Sequence, residues 1–247
     1  MLRFNDKNEI ITEEYRAVLV GIQLDKDISY SMEELAGLAR VLEAHEDVFV
    51  IADEIYEHIN YVGRHESIAQ FDAIRPRVVI INGVSKAYAM TGWRIGFIAA
   101  AEWIVKGCNK LQGQYTSGPC SVSQKAAEAA YVGSQACVEE MRQAFERRRD
   151  LIVRLAGEIP GLEVNNPQGA FYLFPKCSAY YGKHLGDRVI NDSMDLALYL
   201  LEEAHVATVG GAAFGSPECF RMSYATSDEN IVEAMRRIGE ALAKLQD

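Results

Sequence analysis

Val78-Val79-Ile80-Ile81-Asn82-Gly83-Val84-Ser85-Lys86 runs from four consecutive apolar residues into a polar turn and ends on an amine. So short and continuous an apolar run, bounded by Asn and Gly, is the pattern of a strand buried on both faces. Upstream, Val48-Phe49-Val50-Ile51-Ala52 has the same character and leads into Asp53-Glu54-Ile55-Tyr56. The distance between the two runs suits a crossover connection better than a hairpin, so they are expected as parallel neighbours or near neighbours in an α/β sheet. A third run, Ile95-Gly96-Phe97-Ile98-Ala99, begins just after Arg94. Ahead of the first run, residues 31–45 place Leu35, Leu38 and Leu42 on one helical stripe, with Ser31 and Glu34 in capping-box positions. Residues 16–22 fit a strand preceding that helix.

Further along, residues 121–155 are rich in alanine and charge and poor in breakers, which predicts one long helix or two consecutive ones, stopped by Pro160 and Gly161. The pattern then changes. Leu162-Glu163-Val164 and Ala170-Phe171-Tyr172-Leu173-Phe174 read as strands, residues 193–204 as a helix, and Val206-Ala207-Thr208-Val209 and Phe220-Arg221-Met222-Ser223-Tyr224 as further strands. A terminal helix carries Ile231, Met235, Ile238, Leu242 and Leu245 on one stripe, with Thr226 and Glu229 set for a capping box. The shift at Pro160 marks a second domain of α+β character.

A chain of 247 residues, 49% hydrophobic and 24% charged, can bury a core as one large domain or two smaller ones. Its formal net charge of -10 argues against nucleic acid or an anionic membrane surface as partner, since polyanions need a positive footprint. Residues 1–16 lack the apolar core of a signal peptide, and no run approaches the length of a membrane span, so a cytoplasmic location is expected. The five cysteines form no C-x-x-C pair, and the five histidines show no metal-ligand spacing, which predicts neither a disulfide framework nor a zinc ribbon.

Ligands of open α/β sheets bind beyond the carboxyl ends of the strands, so the residues that follow each apolar run come first in the search for chemistry. The first run delivers a carboxylate, Asp53, and a phenol, Tyr56; the second delivers the amine of Lys86. Taken singly, each fits a bland role: Asp53 a helix cap, Tyr56 a half-buried aromatic, Lys86 a solvated lysine. Together with an arginine they match an aromatic cofactor bearing an aldehyde, a ring nitrogen, a ring oxygen and a phosphate. Neither G-x-G-x-x-G nor G-x-x-x-x-G-K-[ST] occurs where a strand meets a helix, which disfavours a nucleotide-binding enzyme.

The stretch Gly83-Val84-Ser85-Lys86-Ala87-Tyr88-Ala89-Met90-Thr91-Gly92-Trp93-Arg94-Ile95-Gly96 resembles the cofactor-attachment segment of class I/II pyridoxal-phosphate-dependent aminotransferases, the aspartate aminotransferase-like proteins of fold type I. Ala52-Asp53-Glu54-Ile55-Tyr56 resembles the same family's pyridine-binding strand end, and Gly169-Ala170-Phe171-Tyr172 and Phe220-Arg221-Met222-Ser223-Tyr224-Ala225 its small-domain strands. The resemblance implies an α/β fold with an incomplete doubly wound large-domain sheet in residues 1–120, an interdomain helix in 121–158 and a small α+β domain in 159–247. It implies Lys86 as the residue bonded through its amine to pyridoxal 5'-phosphate and as the proton shuttle, and Asp53 as the partner of the protonated ring nitrogen. Tyr56 would bond the ring oxygen, Arg94 and Ser85 the phosphate, and Arg221 the substrate α-carboxylate. Arg94 and Arg221 also fit surface ion pairs, Ser85 a turn, and Tyr172 and Tyr224 core aromatics. The activity implied is transfer of an amino group between an amino acid, aspartate for instance, and a 2-oxo acid, with a homodimer or other self-association. The alternatives are a non-catalytic relative that keeps the fold, or a β-lyase or decarboxylase.

The resemblance is incomplete. The family's chains extend further on the amino-terminal side, where they carry a Gly-rich phosphate loop and an aromatic that stacks on the cofactor, and residues 1–30 hold neither. Its Asn-Pro-Thr-Gly turn is replaced here by Leu24-Asp25-Lys26-Asp27, and Gly83 stands where the family often has a phosphate-binding serine. A shortened chain and weak or absent transaminase activity for these residues alone are therefore expected.

Overall fold

In a computed structural model, which describes residues 3–4, 10–11, 16–20 and 32–247, the two apolar runs are adjacent parallel strands. The Ser31 half of the expected capping box and the 24–27 junction lie outside the described residues. The chain divides into two compact units, one holding the described residues up to 57 with 64–135, the other 58–63 with 136–247.

In the first unit the elements run β1 (Arg3–Phe4), β2 (Ile10–Ile11), β3 (Arg16–Val20), α1 (Met32–Glu43), β4 (Val48–Asp53), β5 (Val78–Gly83), β6 (Gly96–Ala99), α2 (Glu102–Tyr115) and α3 (Ser121–Val132). The main sheet has the order β3-β4-β5-β6; its first three strands are parallel, and β6 returns antiparallel, Gly83 opposite Gly96. Helix α1 buries Leu35, Ala39 and Leu42 against Val48, Val50, Ala52, Ile74 and Val78, while Leu38 of the expected stripe is partly buried. Arg77, just ahead of β5, locks this layer: its guanidinium donates to the carbonyls of Leu42 (2.8 Å), His45 (2.8 Å) and Val48 (2.6 Å). It thereby ties the last turn of α1 to the start of β4.

The second unit contains α4 (Ala136–Gly157), β7 (Tyr172–Leu173), β8 (His184–Leu185), β9 (Arg188–Val189), α5 (Ser193–Glu203), β10 (Val209–Gly210), β11 (Phe220–Ser223) and α6 (Asp228–Leu242). Its antiparallel sheet has the order β10-β11-β7. Ile152 of α4, Leu196 and Leu200 of α5, Phe220 of β11 and Ile238 of α6 meet in one core, and all five residues of the expected terminal stripe are buried in it. Tyr199 spans this core and donates its hydroxyl to the carbonyl of Ala241 at 2.7 Å.

Several local expectations are corrected. Residues 162–164 form no strand; Glu163 makes a single bridge to Lys176. The expected strand at 170–174 is reduced to Tyr172–Leu173, and the one at 206–209 is displaced to Val209–Gly210. The cap of α6 is Ser227, not Thr226: Ser227 Oγ accepts from the Asn230 amide at 3.3 Å, and Thr226 Oγ1 accepts from the Asn230 side chain instead. Of the two readings of the helical stretch from 121, the two-helix one holds, with the break after Val132, and α2 is a helix that the sequence pattern does not mark.

Candidate active site

The carboxyl ends of β4 and β5 set the site. Asp53 closes β4 opposite Ile81 of β5, and the Glu54 amide donates to the Ile81 carbonyl at 2.9 Å, so the two strands stay bonded one step past the carboxylate. The Asp53 side chain is exposed, and its Oδ1 accepts from the Ile55 amide at 3.2 Å, which tightens the turn that follows. No helix starts there, so Asp53 caps a turn and presents its carboxylate at the rim of the sheet. Tyr56 is half-buried in that turn. Lys86, also half-buried, follows β5 by three residues and carries its Nζ to 5.5 Å from the centre of the Tyr56 ring. Amine, phenol and carboxylate are thus gathered at one end of two adjacent parallel strands, with Ser85 beside the lysine in sequence.

Gly83 explains how the lysine loop leaves the sheet. A Cβ built on it would stand 2.7 Å from the Ile95 carbonyl oxygen and 2.9 Å from Gly96 Cα, both backbone atoms of the neighbouring segment. Only a residue without a side chain lets β5 and β6 approach so closely. The buried Asn82 before it folds its Oδ1 onto the Gly83 amide at 2.7 Å. The family's serine cannot be accommodated at position 83 unless this backbone moves apart. Gly83→Ala is expected to destabilise the chain by about 1–3 kcal/mol through overpacking against fixed backbone, read by urea denaturation. Unchanged stability would refute the close approach.

The loop then turns through two left-handed residues, Ala89 (φ 53°) and Arg94 (φ 55°). Non-glycine residues are held in that region at a cost of roughly 1–2 kcal/mol each, and such strain clusters at functional sites. Arg94 ends the short 3-10 turn Thr91–Trp93 and donates Nη1 to the Thr91 carbonyl at 2.9 Å. Its side chain is exposed, with donors remaining for an anion.

Arg221 belongs to the second unit, on β11. Its guanidinium carbon lies 4.4 Å from the ring centres of both Tyr172 and Phe214. Among the described residues no carboxylate lies within ion-pair distance of it, so the surface ion-pair reading of this arginine is not met. Tyr172 is half-buried beneath that guanidinium, whereas Tyr224 is a core aromatic whose hydroxyl donates to the Ala170 carbonyl at 3.3 Å. Sequence reasoning left Tyr172 in the core and passed over Phe214. Only the strand register, which sets Val209 opposite Arg221 and Tyr172 opposite Ser223, brings the β11 arginine beside the Tyr172 strand.

These groups fit a phosphorylated pyridine aldehyde: an amine to bond the aldehyde, a carboxylate for a ring cation, a phenol for a ring oxygen and an arginine for a phosphate.

The sequence profile of aminotransferase class I and II matches residues 28–238. The chain is 44% identical over 223 residues to the bifunctional aspartate aminotransferase and glutamate/aspartate-prephenate aminotransferase of Petunia hybrida, which covers 88% of this chain and 46% of that protein. It is 43% identical over 237 residues to the aspartate aminotransferase of Bacillus subtilis, covering 95% of this chain and 59% of that one. Among solved structures, the aspartate aminotransferase of Rhizobium meliloti superposes with a TM-score of 0.89 at 41% identity, over 96% of this chain and 60% of that one. The chain spans about half the length of the curated relatives it matches.

Proposed function

This chain belongs to the aminotransferase class I and II family, and on that footing we propose that it holds pyridoxal 5'-phosphate and moves an amino group between an amino acid and a 2-oxo acid. The observation that carries the reading is the Lys86 amine poised 5.5 Å from the Tyr56 ring at the sheet end that also bears Asp53. Lys86 would bond the cofactor's aldehyde, and its amine, when free, would carry the proton between the substrate α-carbon and the cofactor's carbonyl-derived carbon. Asp53 keeps the ring nitrogen protonated, and Tyr56 donates to the ring oxygen. Ser85 and Arg94 hold the phosphate, where the arginine fork matches the oxygens. Arg221 holds the substrate α-carboxylate and so fixes which bond at the α-carbon is activated. The cofactor, when bound, supplies an electron sink for the pair left behind when that bond breaks.

Aspartate is the proposed amino donor, supported by the activities named for the relatives above. Self-association as a homodimer is supported by the apolar side chains that the first unit exposes, Trp93, Tyr115 and Val132 among them. A reducing, cytoplasmic setting is supported by cysteines that form no disulfide. No helix among the described residues is long and apolar enough to cross a membrane.

The test is a titration of the chain with pyridoxal phosphate, followed by addition of aspartate and identification of the product. A pH-sensitive absorbance band at the edge of the visible should appear, and the product should be the 2-oxo acid with the donor's carbon skeleton intact. No band at saturating cofactor would defeat the binding reading; loss of carbon dioxide or of the β-substituent would defeat amino transfer in favour of a decarboxylase or β-lyase.

A further inference from the structure

Beside Asp53 and Tyr56, but not used by the chemistry above, Glu54, Glu57 and His65 each offer one metal-ligating atom, all three atoms within 4.8 Å of one another. The turn after β4 accounts for the two carboxylates, because the Glu57 amide donates to the Glu54 carbonyl at 3.0 Å and brings the two residues onto one turn. Glu54 has only 10% of its side chain exposed. One of its oxygens accepts from Ser67 Oγ at 2.6 Å, and Ser67 Oγ in turn accepts from the Ala69 amide at 3.2 Å, so the carboxylate is held in place. The other oxygen lies 3.1 Å from His65 Nε2. That nitrogen is sealed from solvent, and among the described residues it makes a close contact with Glu54 but no hydrogen bond.

A solvent-sealed imidazole nitrogen 3.1 Å from a carboxylate oxygen stands at the spacing of two ligands of one cation. Ligand atoms bound to the same ion at about 2.0–2.2 Å stand roughly 3–4 Å apart. The Glu54–His65 distance already lies in that range, and a carboxylate oxygen of the half-buried Glu57 lies within 4.8 Å of both ligand atoms. We propose that Glu54, Glu57 and His65 form a site for one divalent transition-metal ion of the zinc type, completed by water. The imidazole sets the class: magnesium and calcium prefer oxygen-only shells, whereas zinc and its neighbours accept mixed nitrogen and carboxylate ligands. The ion ties the turn that presents Tyr56 to the segment carrying His65.

Equilibrium dialysis of the full chain against zinc chloride, without added pyridoxal phosphate, tests this directly, with magnesium chloride as the comparison. One zinc ion per chain should bind at this site and raise Tm by several degrees at a hundredfold excess over Kd. His65→Ala and Glu57→Gln, checked for folding by circular dichroism, should each weaken binding at least tenfold. Glu57→Gln, at a half-buried position, is read alone where His65→Ala does not fold. The absence of zinc uptake, magnesium binding as tight as zinc, or wild-type zinc affinity in a folded variant would each overturn the proposal; the last would move the ion to cysteines such as Cys108 or Cys120.

Discussion

Lys86→Ala is expected to abolish the visible-edge absorbance band and to lower amino-group transfer by about 10⁴-fold or more relative to the unsubstituted chain. Two losses combine. Removing the amine removes the covalent anchor, and it also removes the base that relays the proton, a contribution worth about 10²–10⁴-fold by itself. The fold should tolerate the change, because Lys86 is half-buried at the rim of the sheet and the strands that position it are fixed upstream by Val78 and Val79. Lys86→Arg is the informative companion. It keeps the positive charge near the Tyr56 ring, 5.5 Å from the present amine, yet a guanidinium neither deprotonates near neutrality nor bonds an aldehyde in the same way. Both variants should therefore fail alike, and borohydride reduction should fix the cofactor to the peptide containing Lys86 only in the parent chain. If Lys86→Ala keeps the band and stays within tenfold of parental turnover, Lys86 is not the attachment residue.

What could be read in the sequence was whatever local chemistry determines. Val48, Val50 and Val78 announce buried strands because a continuous β-branched run has few other stable homes, and those strands fix the end at which Asp53 and Lys86 emerge. The α6 stripe was legible for the same reason, since five apolar residues at helical spacing all reach one core. Helix α2 stayed hidden because it buries only Ile104 and carries Gly107 and Gly113 inside, so neither stripe nor propensity marks it. The Ser227 cap was missed by one residue because adjacent hydroxyls, Thr226 and Ser227, compete for the same role. Strands of two residues in the second unit are held by pairing and not by pattern, so the sequence places β7 within 170–174 and β10 at the end of 206–209 without fixing their bounds. The same holds for contacts between distant residues. Arg77 on the end of α1 and Tyr172 beneath Arg221 each depend on where the chain returns, which no local window contains.

Arg221→Lys should lower kcat/KM for aspartate by about 10²–10³-fold, with most of the loss in KM, although it conserves charge. The reason lies in how the side chain is held. The guanidinium sits 4.4 Å from the centres of both the Tyr172 and Phe214 rings, which confine a flat group but give a tetrahedral ammonium no matching slot. A carboxylate bound by the two parallel donors of the fork gains two charge-assisted hydrogen bonds in a fixed plane. Lysine offers a point charge that retains about half of that interaction, a difference of roughly 3–4 kcal/mol once the stacking is included. Because this interaction is made in the ground state as well as later, its removal raises KM more than it lowers kcat. The absorbance band should persist, since Arg221 is assigned to substrate and not to cofactor. An amine donor lacking the α-carboxylate supplies the decisive comparison: its rate should be the same in parent and variant, whereas the rate with aspartate collapses. Equal losses with both donors would mean that Arg221 supports the structure of its own sheet, and a variant within threefold of the parent on aspartate would remove it from the substrate site.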